Sequence, residues 1–106
     1  YLKEYKGDYT PVGGSYFKKE KLEERRYKAH EFSLKKGEWL FMYTDGYYDQ
    51  FGGTKNKSMG VNKFKNILCE SVKQNNDLNV ELKKEFLNWK GNNNQLDDVL
   101  VFGFTI

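Results

Sequence analysis

Two pairs of aspartates lie beside long apolar runs of the sequence. One pair follows the run at 39–44 and the other precedes the run at 99–106: Asp45 with Asp49, and Asp97 with Asp98. Runs without polar alternation predict strands that are covered on both faces. If the two strands are antiparallel neighbours, the end of the first and the start of the second lie at the same sheet edge. Asp45 and Asp97 would then share an ion.

The loop after the first run favours a hard divalent metal. Asp45 and Asp49 are close in sequence, and two such carboxylates repel each other unless a cation, an arginine or solvent intervenes. Gly46 lets the backbone adopt conformations closed to other residues and leaves room for an ion near the main chain. Asp-Gly after a strand is also a common turn that binds nothing, so this loop alone is a weak signal.

Composition limits the class of protein. A chain of 106 residues is one domain or a piece of one. The net charge is +3, and glutamates interrupt the lysines and arginines of 18–26, which predicts a solvated segment and no nucleic-acid partner. Neither apolar run approaches the roughly 20 residues that a membrane-spanning helix needs, so we expect no membrane contact.

The sequence offers no cysteine or histidine chemistry of its own. Cys69 is the single cysteine, which excludes a disulfide within these residues and a cysteine-based zinc site, and it favours a reducing, cytoplasmic location. We expect Cys69 to fill space on an apolar helix face and the single histidine, His30, to be structural. No convincing Cys/His or Ser/His pair suggests a protein nucleophile.

The first third of the chain is predicted to contain strands and loops. Residues 1–5 suggest a short strand, and the glycine-rich stretch 7–15 and the charged stretch 16–26 suggest loops. Alternation over 27–34 predicts a half-buried strand, which the turn at 35–38 would join in a hairpin to the strand that begins at Trp39.

Two amphipathic helices are predicted in the second half. Apolar residues fall at helical spacing over 61–72 and again over 82–89. Asn79 is the expected N-cap of the second helix, and Gly91 is its expected C-terminal stop.

With these elements in order, the chain resembles the C-terminal half of the SpoIIE-type serine phosphatases, which belong to the metal-dependent PPM superfamily. The sequences that carry the resemblance are YTDGYYDQFGG at 43–53, WKG at 89–91 and QLDD at 95–98, with a helical pair between the first two. The segments 6–8, 11–14 and 36–38 also resemble that family.

The resemblance implies an α/β (α+β) fold, in which helices flank a β-sandwich of mainly antiparallel strands. It implies two Mn²⁺ or Mg²⁺ ions, and hydrolysis of phosphoserine or phosphothreonine by metal-activated water in bacterial signalling. By the same resemblance Asp45 and Asp97 are the catalytic ligands. The implied metal-site residues are Asp45, Gly46, Asp49, Asp97 and Asp98.

The chain also departs from that family. The superfamily takes its other ligands from an N-terminal half with its own Asp-Gly motif, and no such motif precedes Tyr27. We therefore expect residues 1–106 to form a single partial domain, inactive alone and weak in metal binding. The implied partners are a phosphorylated protein, such as an anti-sigma-factor antagonist, and an upstream sensor domain. Uncovered sheet edges predict a homodimer.

Three other interpretations remain open. The chain could be a non-catalytic regulatory module derived from a phosphatase fold. Asp45 could be the nucleophile of a dehalogenase-like phosphotransferase, although that chemistry needs a second acid where Tyr47 stands. The interpretation as a calcium-binding loop has weak support, because acidic residues do not alternate over the first five positions that such a loop requires.

Overall fold

The computed structural model describes residues 2–7 and 27–106. The chain divides into two compact units, Tyr1–Ser33 and Leu34–Ile106. The described elements lie in the second unit: β1 Trp39–Tyr43, β2 Phe51–Gly52, β3 Lys57–Ser58, α1 Val61–Lys73, α2 Leu78–Lys90 and β4 Val101–Thr105. This mixture of antiparallel strands and two helices confirms the predicted class. No helix in the described part of the chain is long and apolar enough to cross a membrane.

The described strands form two antiparallel pairs. β1 pairs with β4 along its full length, from Trp39 opposite Thr105 to Tyr43 opposite Val101. β2 and β3 form a separate short hairpin. The long pairing joins segments far apart in sequence, as the two apolar runs predicted.

The core forms where the loop after β1 meets both helices. Phe64 and Leu68 of α1 are almost fully buried, and Phe86 of α2 packs with them. Tyr47 and Met59, from the segments between β1 and α1, complete this cluster. The apolar helix faces that the sequence predicted therefore form the core against which the acidic loop packs.

Helix α2 confirms one predicted end and corrects the other. The N-cap is Asp77, whose Oδ1 accepts hydrogen bonds from the N–H groups of Asn79 (3.1 Å) and Val80 (3.3 Å). The prediction of Asn79 was wrong because Asp77 also offers a short acceptor, and it places the two N–H groups of the first turn within reach. Gly91 ends the helix with a positive φ of 55°, as expected.

The predicted strand at 27–34 and its hairpin with β1 are absent. The turn at 35–38 exists, with the Glu38 N–H bonded to the Lys35 carbonyl at 3.0 Å, but β1 takes β4 as its neighbour. In the first unit the ring of Tyr5 stacks on Phe32 at 5.1 Å and tilts against His30 at 5.0 Å. The alternating side chains thus pack on an aromatic ring rather than on a sheet. Residues 2–7 form no strand either.

Two burial predictions were also wrong. β1 and β4 are not covered on both faces, since Met42 and Phe102 remain 57% and 49% exposed. Cys69 is exposed on α1 rather than packed, because the buried stripe of that helix runs through Phe64, Leu68 and Ser71. The loops predicted over 7–15 and 16–26 lie, from residue 8 onward, outside the described residues.

Candidate metal centre

The pairing of β1 with β4 brings the two acidic loops together. Beyond the last strand residues the ladder continues, because the Thr44 N–H donates to the Leu100 carbonyl at 3.0 Å and the Leu100 N–H donates to Thr44 Oγ1 at 3.3 Å. Asp45 is the next residue on one side, and Asp97 precedes Leu100 by three residues on the other. The antiparallel neighbours expected for these aspartates are confirmed; metal binding by them stays a prediction.

Gly46 lets the two loops approach each other closely. It is buried, and a Cβ placed on it would overlap the carbonyl oxygen of Asp98. Gly46 does not have a positive φ, so the conformational freedom expected of it is not what the site uses. The site needs its lack of a side chain, since any larger residue would push the Asp45 and Asp98 main chains apart.

Two of the predicted carboxylates act on a third. Loss of solvent around the carboxyl of Asp49 raises its pKa, and the charge of Asp45, a side-chain hydrogen bond with Asp45 and the charge of Asp97 raise it further. Asp49 is held beside Asp45 because its N–H donates to the Asp45 carbonyl at 2.9 Å. The structure thus gathers negative charge from both loops, and that charge would favour a bound cation.

Asp97 and Asp98 have different roles in this loop. The carboxylate of Asp97 accepts a hydrogen bond from the Asp98 N–H at 2.7 Å, while the Asp97 carbonyl accepts one from Gln95 Nε2 at 2.8 Å. The contacts found for Asp98 are made by its main chain, to Asp97 and to Gly46. Its side chain is not among the charges that act on Asp49.

A buried glutamine connects the two acidic loops. Gln50 is fully buried and directly follows Asp49. Its Nε2 donates to the Asn94 carbonyl at 2.9 Å, and its Oε1 accepts from the Leu96 N–H at 3.3 Å. Because Leu96 precedes Asp97, this one side chain fixes the second loop against the first. A buried amide with these bonds satisfies main-chain groups that would otherwise lack partners.

Tyr47 anchors the first acidic loop to both helices. Its hydroxyl donates to the Leu82 carbonyl of α2 at 2.6 Å, and its ring lies 4.8 Å from Phe64 and 5.1 Å from Phe86. Burial, and to a lesser degree the charge of Glu85, raises the pKa of Tyr47 well above its usual value. The phenol therefore stays protonated and keeps its donor role.

Sequence reasoning did not single out Gln50 or Tyr47. The one signal for Gln50 was a polar residue inside the stretch from Tyr47 to Phe51, which is otherwise aromatic except for Asp49. For Tyr47 the signal was an aromatic residue two positions after Asp45, where an acid would have pointed to another chemistry. Neither signal names the partner, since Asn94 and Leu82 are far away in the sequence.

The donors fit a hard divalent cation in type. Carboxylate oxygens are the ligands that Mg²⁺ and Mn²⁺ prefer. Across residues 2–7 and 27–106, however, no group of three or more His, Cys, Asp or Glu side chains is arranged to hold a metal ion. Charges act over longer distances than ligands coordinate, so Asp45, Asp49 and Asp97 can interact without converging on one point. The chemistry of the three carboxylates therefore fits the ion in type.

Comparisons with known proteins identify the family of the chain. No curated protein matches the chain. Among solved structures, the SiaA-PP2C domain of Pseudomonas aeruginosa superimposes with a TM-score of 0.67 and 25% sequence identity, covering 77% of this chain and 34% of that one. The chain thus spans about a third of the length of that structure. The family description "Stage II sporulation protein E (SpoIIE)" matches residues 21–106, so the chain belongs to the SpoIIE family.

Proposed function

We propose that the chain is part of a metal-dependent serine/threonine protein phosphatase and supplies carboxylates to its metal site. The observation that carries this proposal is the β1–β4 pairing, which brings Asp45, Asp49 and Asp97 to one end of a sheet in a chain of the SpoIIE family. The similarity to a PP2C domain supports the same reaction class. We also propose that residues 1–106 form one partial domain, the C-terminal half.

In this proposal Asp45 and Asp97 would hold Mn²⁺ or Mg²⁺, with Asp49 beside them. Gly46 and Asp98 would take part through the main-chain contact that joins the loops. Bound ions would supply a water of lowered pKa and offset charge on the phosphoryl oxygens. The chain's own task is to keep negative charge in place, through Gln50 between the loops and the Asp98 N–H on the Asp97 carboxylate.

The biological setting follows from the family and is part of the proposal. The substrate would be a phosphorylated protein in bacterial signalling, of the kind represented by anti-sigma-factor antagonists. An upstream sensor domain would control the reaction, and both would act in the cytoplasm.

The test is phosphate release from a phosphoserine peptide with Mn²⁺, by the complete protein that carries this chain. We expect Asp45→Asn and Asp97→Asn each to reduce the rate by more than the roughly 10–100-fold that loss of an outer-shell partner costs. Asp77→Asn is the matched control, because it makes the same chemical change at a helix N-cap where asparagine works as well. Full activity in either site variant would overturn the proposal.

A second candidate is a non-catalytic module that keeps the phosphatase fold. It is favoured by the lack of a metal-holding group of side chains in the described part of the chain. Calorimetric titration of the complete protein with Mn²⁺ separates the two: a module without turnover would show neither saturable binding nor phosphate release. Saturable binding that Asp45→Asn weakens would support the phosphatase.

A further inference from the structure

A positively charged pocket lies beside the β2–β3 hairpin. It is an open depression with a volume of about 380 Å³. The residues that line it include three lysines and no acid: Thr54, Lys55, Lys57, Met59, Lys63 and Trp89. We call it the lysine pocket.

The three ammonium groups have no carboxylate partner among residues 2–7 and 27–106. Lys63 Nζ lies 4.7 Å above the ring of Trp89, which is a cation–π contact and leaves its charge unneutralised. The first turn of α1, which contains Lys63, carries no acidic residue. Three like charges around one pocket raise the local potential, and an anion in the pocket would lower it.

The pocket is attached to the acidic loops through one carbonyl group. Gln50 follows Asp49, and its carbonyl accepts from Trp89 Nε1 at 2.7 Å and from the Met59 N–H at 3.0 Å. Two residues that line the pocket are thus bonded to the neighbour of a candidate metal ligand. The lysine pocket and the first acidic loop are therefore held next to each other through Gln50.

We propose that the lysine pocket binds acidic side chains flanking the phosphoserine of a peptide substrate; this rests on the proposed phosphatase function. Lys55, Lys57 and Lys63 attract carboxylates of the peptide. The acidic loops repel such carboxylates when no metal offsets the charge of the loops. The two charged regions together would set the direction in which the peptide lies. A nucleic acid fits less well, because Lys63 lies over the ring of Trp89 and Gly53 packs against the same ring, which leaves less of it for a base to stack on.

The first experiment leaves metal and phosphate out, so it does not depend on catalysis. Two labelled peptides, one with four aspartates around a serine and one with asparagines there, are titrated with the full chain and followed by fluorescence anisotropy. We expect the aspartate peptide to bind about tenfold more tightly, as several screened charge pairs allow. Lys55→Gln/Lys57→Gln should remove that difference. Lys83→Gln, an exposed lysine outside the pocket, should keep it.

Equal binding of the two peptides overturns the proposal, as does equal loss of binding in the Lys83→Gln control, which would indicate diffuse charge attraction. Circular dichroism of the double variant checks its fold; if it is altered, Lys55→Gln alone decides by the same comparison. Phosphate release by the complete protein is measured in parallel. Intact release with no acidic preference defeats only the pocket, while acidic binding without release defeats only the phosphatase assignment.

Discussion

At the residue scale, the charges around the Asp49 carboxyl would favour a bound cation but destabilise the folded chain without one. Reduced solvation and the nearby Asp45 and Asp97 raise its pKa, so ionised Asp49 is less favourable in the folded chain than in the unfolded one. A group with a raised pKa in the folded state stabilises the fold below its ordinary pKa and loses that contribution as pH rises. Without metal, the charges of this cluster therefore lower the stability of the folded chain at neutral pH.

Replacing Asp49 by asparagine should stabilise the metal-free chain at neutral pH. The gain is expected to be small, about 0.5 kcal/mol, because exposed charges are screened by solvent. It should fade as pH falls through the ordinary range of an aspartate pKa, because the wild-type carboxyl takes up a proton there and loses its charge. Urea unfolding at pH 7 and at pH 3.5 measures both points, with Asp77→Asn as the control outside the cluster. A loss of stability at pH 7 would contradict the charge argument.

The aspartates themselves could be predicted from the sequence. Asp45 and Asp98 directly adjoin the two apolar runs, and Asp97 is next to Asp98, so Asp45 and Asp97 fall near one end of a sheet once the strands pair. The reason for Gly46 could not be predicted, because it depends on the Asp98 carbonyl, which is 52 positions away in sequence. The sequence predicted room at Gly46 for an ion, whereas the structure uses the missing side chain to admit the Asp98 carbonyl.

At the element scale, the loops between the strands and helices depend on a few buried hydrogen bonds. Gln50 links the segment after β1 to the segment before β4, and its own carbonyl links Trp89 and Met59. Helices α1 and α2 support this arrangement because both contact Tyr47. The acidic site is therefore positioned by residues that carry no charge.

Gln50→Leu should destabilise the chain by about 2–6 kcal/mol. Leucine fills a similar volume but leaves the Asn94 carbonyl and the Leu96 N–H without their buried partner, and each unsatisfied group costs about 1–3 kcal/mol. Chemical denaturation measures the loss. Gln74→Leu, at an exposed helix end, is the matched control and should change stability by less than about 0.5 kcal/mol. Equal effects of the two substitutions would mean that Gln50 is not a structural link.

Periodicity predicted the helices well, but it did not identify what the residues at 27–34 pack against. Apolar spacing located α1 and α2, because each helix buries its own stripe of residues in one core. The alternation at 27–34 separated apolar from polar side chains but did not show what they contact. In the structure His30 and Phe32 contact the ring of Tyr5. The N-cap of α2 was missed by two residues, since Asp77 and Asn79 are both good caps and only geometry separates them.

At the scale of the whole molecule, the β1–β4 sheet has one covered and one uncovered face. Phe41, Tyr43 and Val101 pack against the core. On the other face Met42 lies opposite Phe102, and Leu40 lies opposite Phe104. Large apolar side chains remain exposed there, and exposed apolar patches of this kind promote association.

The last prediction is that the chain self-associates through this face. A second copy offers the same rows of apolar side chains, and an isologous contact would bury both at once. Sedimentation velocity at micromolar concentration should show a dimer that Met42→Lys/Phe102→Lys converts to monomer. Val80→Lys, which removes an equally exposed apolar residue on α2, should leave the dimer intact. A wild-type chain that sediments as a single monomeric species and unfolds cooperatively would show that the exposed face needs no second copy.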